Sequence, residues 1–214
     1  SRPTLPTPPA MLAYLDGTYL PRAEARVPVD DRGFLFGDGV YEVTRAVRGR
    51  LIEFDRHLAR LHAGAAALRL ALPEGIDATL RAVHERLLDA NGLREGEATV
   101  YLQVTRGVAP RTHAFPAPGT PPTLYASAAP LTPPDALRAL GAAAVTHPDL
   151  RWARCDLKTV NLLPNVLAKQ AAAEAGAFEA ILVRPDDEGG SGGGLVTEGA
   201  QTSVFVVRDG AVRT

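Results

Sequence analysis

Residues 154–163 read RCDLKTVNLL, and residues 196–199 read VTEG. The first stretch contains Lys158, which is one of only two lysines among 23 basic residues; the other is Lys169. A lysine can lose its proton when its surroundings lower its pKa, whereas an arginine stays protonated and cannot act as a free amine. Because the chain uses arginine at almost every other basic position, a retained lysine favours a role that requires a free amine. The two lysines can also be retained without such a role.

The composition fits a globular protein and excludes several classes of function. The chain has 214 residues, 46% of them hydrophobic and 22% charged, which suits one large domain or two small ones. Its net charge of -1 provides no basic field for nucleic acid or an anionic membrane surface, and its apolar runs are too short to span a bilayer. The single cysteine, Cys155, excludes an internal disulfide and predicts a cytoplasmic location. The five histidines lack metal-ligand spacing, so no metal site is expected.

The hydrophobic pattern predicts a mixture of strands and helices. Strands are predicted over 11–14, 18–20, 40–47, 51–54, 100–104, 124–128, 142–146, 180–183 and 203–208, and helices over 55–70, 77–90 and 162–175. Asp16-Gly17 predicts a hairpin turn, Asp55 is a candidate N-cap, and Pro164 suits the first turn of its helix. The pattern predicts an α+β fold.

Proline-rich residues divide the chain. Residues 131–135 predict a linker between an N-terminal α/β domain over 11–130 and a C-terminal domain over 136–214. Residues 1–10 lack the apolar stretch of a signal peptide and are interpreted as a leader or flexible arm. The last predicted strand turns at Asp209-Gly210 and has just begun to return when the sequence stops. Because so short a return strand would have little pairing, we expect the natural protein to continue, with the second domain incomplete here.

Five motifs, in the same order, resemble fold-type IV pyridoxal-phosphate enzymes. They are DRG at 31–33 with FGDGVYE at 36–42, HLARL at 57–61, RCDLKTVNLL at 154–163, NVLAKQ at 165–170 and VTEG at 196–199. That family includes D-amino-acid aminotransferases, branched-chain aminotransferases and aminodeoxychorismate lyases. The resemblance covers residues 12–214 and implies a two-domain α+β fold that holds pyridoxal 5'-phosphate between its domains, with the C-terminal domain as the cofactor-binding one.

The resemblance also implies roles for three side chains. Lys158 matches the Schiff-base lysine, which bonds the cofactor aldehyde and then moves the α-proton of the substrate. Glu198 matches the carboxylate that faces the pyridine nitrogen and keeps the ring protonated. Arg60 matches the arginine that binds the cofactor phosphate. Lys169 is the competing amine, and it is predicted to lie at the surface of its helix.

A loop at 107–113, GVAPRTH, resembles the carboxylate trap of D-amino-acid aminotransferases. Arg111 and His113 can both donate to one carboxylate, and Tyr41 matches a tyrosine that completes the trap. In the family the arginine and histidine reach into the neighbouring subunit's site, which implies a homodimer. The implied reaction transfers the amino group of a D-amino acid, for example D-alanine, to a 2-oxo acid such as 2-oxoglutarate.

Other interpretations stay open. An aminodeoxychorismate lyase or a branched-chain aminotransferase would use the same cofactor, and a truncated, inactive homologue would only bind or assemble. Residues 200–203, AQTS, depart from the serine-rich run that relatives carry near the cofactor. The glycine-rich run at 189–194 lacks the residues of a phosphate loop and is interpreted as a flexible hairpin insertion. Asp38 and Glu42 are assigned structural roles.

Overall fold

The computed structural model describes residues 11–185 and 194–214. The leader predicted over 1–10 and most of the glycine-rich run, 189–193, therefore lie outside the described residues. The contacts divide the chain into two compact units, one extending to Pro133 with Asp156–Asn161 added, the other formed by Pro134–Cys155 and Leu162–Thr214. Asp156–Asn161, which the sequence grouped with the C-terminal domain, thus makes its contacts with the first unit.

A six-stranded sheet forms the body of the first unit. Its strands are β1 (Leu12–Leu15), β2 (Thr18–Pro21), β3 (Gly39–Val47), β4 (Arg50–Leu51), β5 (Glu97–Thr105) and β6 (Thr123–Pro130). They lie in the order β2-β1-β6-β5-β3-β4, and each pairs with its neighbours antiparallel. Asp16 and Gly17 both have positive φ, as the predicted hairpin turn between β1 and β2 requires.

Two helices cover one face of this sheet. The α-helices of the unit are α1 (Arg32–Phe36), α2 (Phe54–Ala67) and α3 (Ile76–Ala90), and a 3-10 helix spans Arg22–Glu24. Helix α2 packs on β3, and α3 packs on β1, β5 and β6. Alternate strand residues such as Val40 and Leu102 point into the core and meet Leu61, Leu80 and Leu87 of the helices. The burial of these aliphatic side chains is the main source of stability for this unit.

The start of α2 differs from the prediction. The expected strand over 51–54 ends at Leu51, and the helix begins at Phe54 with Glu53, not Asp55, as its N-cap residue. Phe54 is only 5% exposed, so its packing in the core sets where the helix begins. Asp55 lies in the first turn instead and pairs with Arg81.

The second unit contains a smaller sheet and a hairpin. Its elements are α4 (Asp135–Leu140), β7 (Ala144–Pro148), α5 (Leu163–Glu174), β8 (Glu179–Pro185), β9 (Gly194–Gly199), β10 (Val206–Arg208) and β11 (Ala211–Arg213). Strand β8 lies between β7, to which it is parallel, and β9, to which it is antiparallel. Ala168 and Ala172 of α5 pack on Ala180 and Leu182 of β8. Pro164 lies in the first turn of α5, as predicted, where its missing N–H has no helical partner to lose.

Two classes of feature are absent from the described residues. None of their helices combines the length and the apolar character that crossing a membrane requires. They also hold no group of three or more histidine, cysteine or acidic side chains placed to bind a metal ion.

Candidate active site

Lys158 is fixed by backbone pairing with the start of β3. The backbone N–H of Tyr41 donates to the carbonyl of Lys158 at 3.1 Å, and that of Val160 donates to Gly39 at 3.2 Å. Between them, Thr159 forms an antiparallel bridge with Val40. The lysine therefore belongs, by its contacts, to the edge of the first unit's sheet although it lies more than a hundred residues beyond β3 in the sequence.

The amine of Lys158 lies against a tyrosine. Its Nζ donates to the hydroxyl of Tyr41 at 3.2 Å and is 4.3 Å from the centre of the same ring. A phenol oxygen can accept from an ammonium or donate to a free amine, so this contact can orient Nζ in both protonation states. Tyr41 stacks in turn on Tyr101, with ring centres 5.7 Å apart. Burial, reinforced by Tyr41 and Tyr125, raises the pKa of Tyr101 to about 12, which keeps that ring neutral.

Arg60 is held by a buried carboxylate. Glu42, whose side chain is 2% exposed, accepts from Nε and Nη2 of Arg60 at 2.6 and 2.7 Å and contacts Nδ1 of His57 at 2.7 Å. Burial raises the pKa of Glu42, but the hydrogen bonds from Arg60 and His57 outweigh it and the net shift is downward. The bonds to Glu42 do not use Nη1 of the half-exposed Arg60, so this nitrogen can donate to a further anion.

Arg111 and His113 gather around one aromatic ring. The guanidinium of Arg111 lies 5.3 Å from the centre of the Phe36 ring, and the His113 ring lies 5.5 Å from it. Both side chains are exposed. Tyr41, the third predicted member of the trap, instead contacts Lys158 and Tyr101. The structure thus pairs Arg111 with His113 and Tyr41 with Lys158.

Asp38 is the centre of a buried ion cluster beside this loop. It accepts from Nε of Arg32 at 2.9 Å and from Nε and Nη2 of Arg106 at 2.8 and 2.9 Å. Burial raises the pKa of Asp38, but the bonds from Arg106 and Arg32 outweigh it, so the pKa is lowered overall. The structural roles assigned to Asp38 and Glu42 are therefore confirmed. Arg32 belongs to the DRG motif at 31–33, but sequence reasoning assigned it no role, because an arginine in a chain rich in arginine carries no signal of burial.

Glu198 lies on β9 in the second unit and is paired with an arginine. Its carboxylate accepts from Nη1 of Arg151, whose Nε and Nη2 bond Asp149 at 3.0 Å each. Hydrogen bonds from Arg151 lower the pKa of Asp149, and Asp149 raises that of Arg151, so both stay charged. Arg151 therefore fixes the position of the Glu198 carboxylate. Sequence reasoning missed Arg151 and Asp149 because neither forms a recognisable spacing with Glu198.

Lys169, the other lysine, is tied down within the second unit. Its Nζ donates to the backbone carbonyl of Phe178 and lies 3.6 Å from a carboxylate oxygen of Glu179. The same glutamate accepts from Thr202 Oγ1 at 2.8 Å, so it also anchors the AQTS segment at 200–203. The contacts of Lys169 therefore link α5 to the start of β8 within the second unit.

Known proteins resemble this chain in sequence and in fold. The amino-transferase class IV family matches residues 39–214. A D-alanine aminotransferase of Bacillus licheniformis is 43% identical over 204 residues, which is 95% of this chain and 68% of that protein. Two solved structures show the same fold. An aminotransferase of Mycobacterium tuberculosis, with α-ketoglutarate and PMP bound, has a TM-score of 0.75 and 25% identity over 94% of this chain and 69% of its own.

The second structure is a 4-amino-4-deoxychorismate lyase of Pseudomonas aeruginosa, with a TM-score of 0.71 and 29% identity over 94% of this chain and 69% of its own. These likenesses confirm the α+β fold that the five motifs implied. They also place both an aminotransferase and a lyase among the relatives. The match over residues 39–214, together with the identity to the Bacillus protein, shows that this chain belongs to the amino-transferase class IV family.

Proposed function

We propose that this protein transfers the amino group of a D-amino acid, with D-alanine as the preferred donor, to a 2-oxo acid such as 2-oxoglutarate. The observation that carries the proposal is the amine of Lys158, fixed by backbone pairing and oriented by the Tyr41 hydroxyl at 3.2 Å. The D-alanine aminotransferase likeness supports the choice of donor. We place the enzyme in the cytoplasm, in keeping with its single cysteine.

The donor set fits pyridoxal 5'-phosphate as the cofactor. Lys158 offers an amine for its aldehyde, Arg60 offers Nη1 for its phosphate, and Glu198 offers a carboxylate for its ring nitrogen. Glu42 and Arg151 hold the last two side chains by ion pairs. When bound, pyridoxal phosphate supplies a protonated ring that accepts the electrons released as the Cα–H bond of the substrate breaks.

Lys158 would hold the cofactor and act as the general base and acid. Its Nζ takes the proton from the substrate Cα and returns it, and the Tyr41 hydroxyl orients Nζ for both steps. Tyr41 stacks on Tyr101, whose pKa is raised to about 12, so Tyr101 stays neutral and places no negative charge beside this pair.

Arg111 and His113 would bind the substrate carboxylate together with Tyr41, in a homodimer. Their exposed position around Phe36, separate from the pair formed by Tyr41 and Lys158, suits a loop that serves the site of a neighbouring subunit. A carboxylate that accepts from both side chains would be held in one orientation.

The test combines a visible spectrum with product analysis. We expect the protein to hold pyridoxal phosphate with a visible absorption band, to lose that band on addition of D-alanine while pyruvate forms, and to regain it with 2-oxoglutarate. L-leucine and 4-amino-4-deoxychorismate serve as competing substrates. Turnover of L-leucine alone would assign a branched-chain aminotransferase, and pyruvate released only from the chorismate derivative would assign a lyase. A protein that binds no cofactor would be an inactive homologue.

A further inference from the structure

Arg32 is a buried arginine that reaches from α1 into the loop carrying Arg111 and His113. It is only 3% exposed. Besides its bond to Asp38, its Nη1 donates to the backbone carbonyl of Thr112 at 2.7 Å and to that of Ala114 at 3.3 Å. These two carbonyls flank His113 on both sides, so one guanidinium contacts the backbone before and after this residue.

Helix α1 and the segment before it contact the same loop at further points. The N–H of Arg32 donates to the carbonyl of Gly107 at 2.9 Å, and Asp31 forms a β-bridge with Val108. Phe36, at the other end of α1, supplies the ring against which Arg111 and His113 lie. The helix thus contacts the beginning of the loop, its two predicted binding residues and the backbone between them.

The burial of Arg32 makes the loop conformation costly to change. A buried guanidinium is stable only while its donors are paired, and Arg32 pairs with one carboxylate and two loop carbonyls. If residues 112–114 moved away, buried donors on Arg32 would lose their acceptors. A proline-rich irregular loop would otherwise sample many conformations and would lose that freedom on binding a ligand.

We propose that Arg32 is the positioning residue that holds Arg111 and His113 ready for a substrate carboxylate. The inference rests on the proposed function of that loop and adds the device that orders it. Arg32 does not touch the substrate. It acts through the backbone of Thr112 and Ala114, and Phe36 assists it by contacting the two binding side chains.

Arg106 provides a matched control. It is also buried, at 8% exposure, and bonds the same carboxylate of Asp38. Its remaining donors, however, go to the carbonyls of Leu68 and Arg69 beyond the end of α2. Replacing either arginine by lysine keeps the charge but removes the planar fork of donors. The two variants therefore disturb the same ion cluster while releasing different backbone segments.

The experiment compares Arg32→Lys and Arg106→Lys in the holoenzyme. For Arg32→Lys we expect amide exchange at residues 111–114 to accelerate about tenfold, and KM for D-alanine to rise about tenfold with kcat little changed. For Arg106→Lys we expect faster exchange at residues 68–70 and an unchanged KM. If Arg32→Lys fails to fold, Phe36→Leu is expected to raise KM in the same way.

Three results would overturn the inference. The first is amide exchange at 111–114 that is as slow in Arg32→Lys as in the wild-type protein. The second is an unchanged KM for D-alanine in Arg32→Lys although exchange is faster. The third is a KM that rises as much in Arg106→Lys as in Arg32→Lys. Failure of the wild-type protein to turn over D-alanine would instead refute the proposed function. Exchange at 111–114 would then still decide whether Arg32 holds the loop.

Discussion

The two faces of the six-stranded sheet share their strands but differ in almost every other respect. On the face covered by α2 and α3, Val100, Leu102 and Val104 of β5 are at most 2% exposed. On the opposite face the residues between them, Tyr101 and Gln103, are half-exposed and polar or aromatic. The open face also carries Tyr41, which contacts Lys158. The covered face provides most of the buried apolar packing, and the open face carries the contact between Tyr41 and Lys158.

This difference shows how a strand can hold a side chain of the candidate site on a rigid backbone. Successive residues of a strand point to opposite faces. Tyr41 therefore lies between Val40 and Glu42, which are 1% and 2% exposed on the covered face. The packing of these two neighbours fixes the backbone from which the Tyr41 side chain projects. Substitutions on the two faces should accordingly separate activity from stability.

The largest effect is expected from Lys158→Ala. Without the amine, the protein loses its general base and its bond to the cofactor, and turnover of D-alanine should fall by roughly 10⁴-fold. The free energy of unfolding without cofactor should change little, because Lys158 is only half-buried. The control is Lys169→Ala, whose amine bonds Phe178 in the second unit and which should retain activity. If Lys169→Ala were the inactive variant instead, the assignment of the reactive lysine would be wrong.

A neighbouring pair on β5 tests the covered face against the open one. Leu102→Ala should lower the free energy of unfolding by about 2–5 kcal/mol, because it leaves a cavity under the helices. Gln103→Ala, one residue along on the open face, should cost less than about 1 kcal/mol. Urea unfolding of both variants measures the difference. Equal losses would mean that the open face also packs against something that contributes to stability.

A smaller effect concerns the pH dependence of stability. His84 of α3, the helix that packs on the covered face, is 1% exposed, and its Nε2 has no hydrogen-bond partner among the described residues. Burial lowers its pKa to about 4, although the Leu80 carbonyl opposes the shift. The unfolded chain takes up a proton below about pH 6.5 whereas the folded protein does not until about pH 4, so acid favours unfolding. Lowering the pH from 7 to 5 should therefore cost about 2 kcal/mol through this residue.

Urea unfolding at pH 7 and pH 5 checks this expectation by comparing variants. In His84→Leu, the loss of unfolding free energy between pH 7 and pH 5 should be smaller than in the wild-type protein by about 2 kcal/mol. His62→Gln should keep it, because His62 is exposed and pairs with Asp77 at the surface. An unchanged pH dependence in His84→Leu would mean that another group titrates in this range.

Much of the fold could be predicted because local patterns are strong where the structure is regular. Alternation predicted β3 and β5, and helical spacing with the Asn91-Gly92 stop predicted α3, which ends at Ala90. Helix α1 was missed because five residues are too short to show a helical period. The predicted N-cap of α2, Asp55, was wrong. Asp55 has a residue type that is typical of N-caps, but the packing of Phe54 in the core decided where the helix begins.

The candidate site divides in the same way. The sequence alone determined which residue types are present and in what order, and its motifs selected Lys158, Glu198, Arg60, Tyr41, Arg111 and His113. Only the tertiary structure revealed their partners: Lys158 meets Tyr41 across 117 positions of the chain, and Arg32 meets Thr112 across 80. Local patterns reflect the secondary-structure propensity of each residue and the spacing at which buried residues recur along a helix or strand. Partners far apart in the chain depend instead on sheet register and on burial of charge, which are decided only when the whole unit packs.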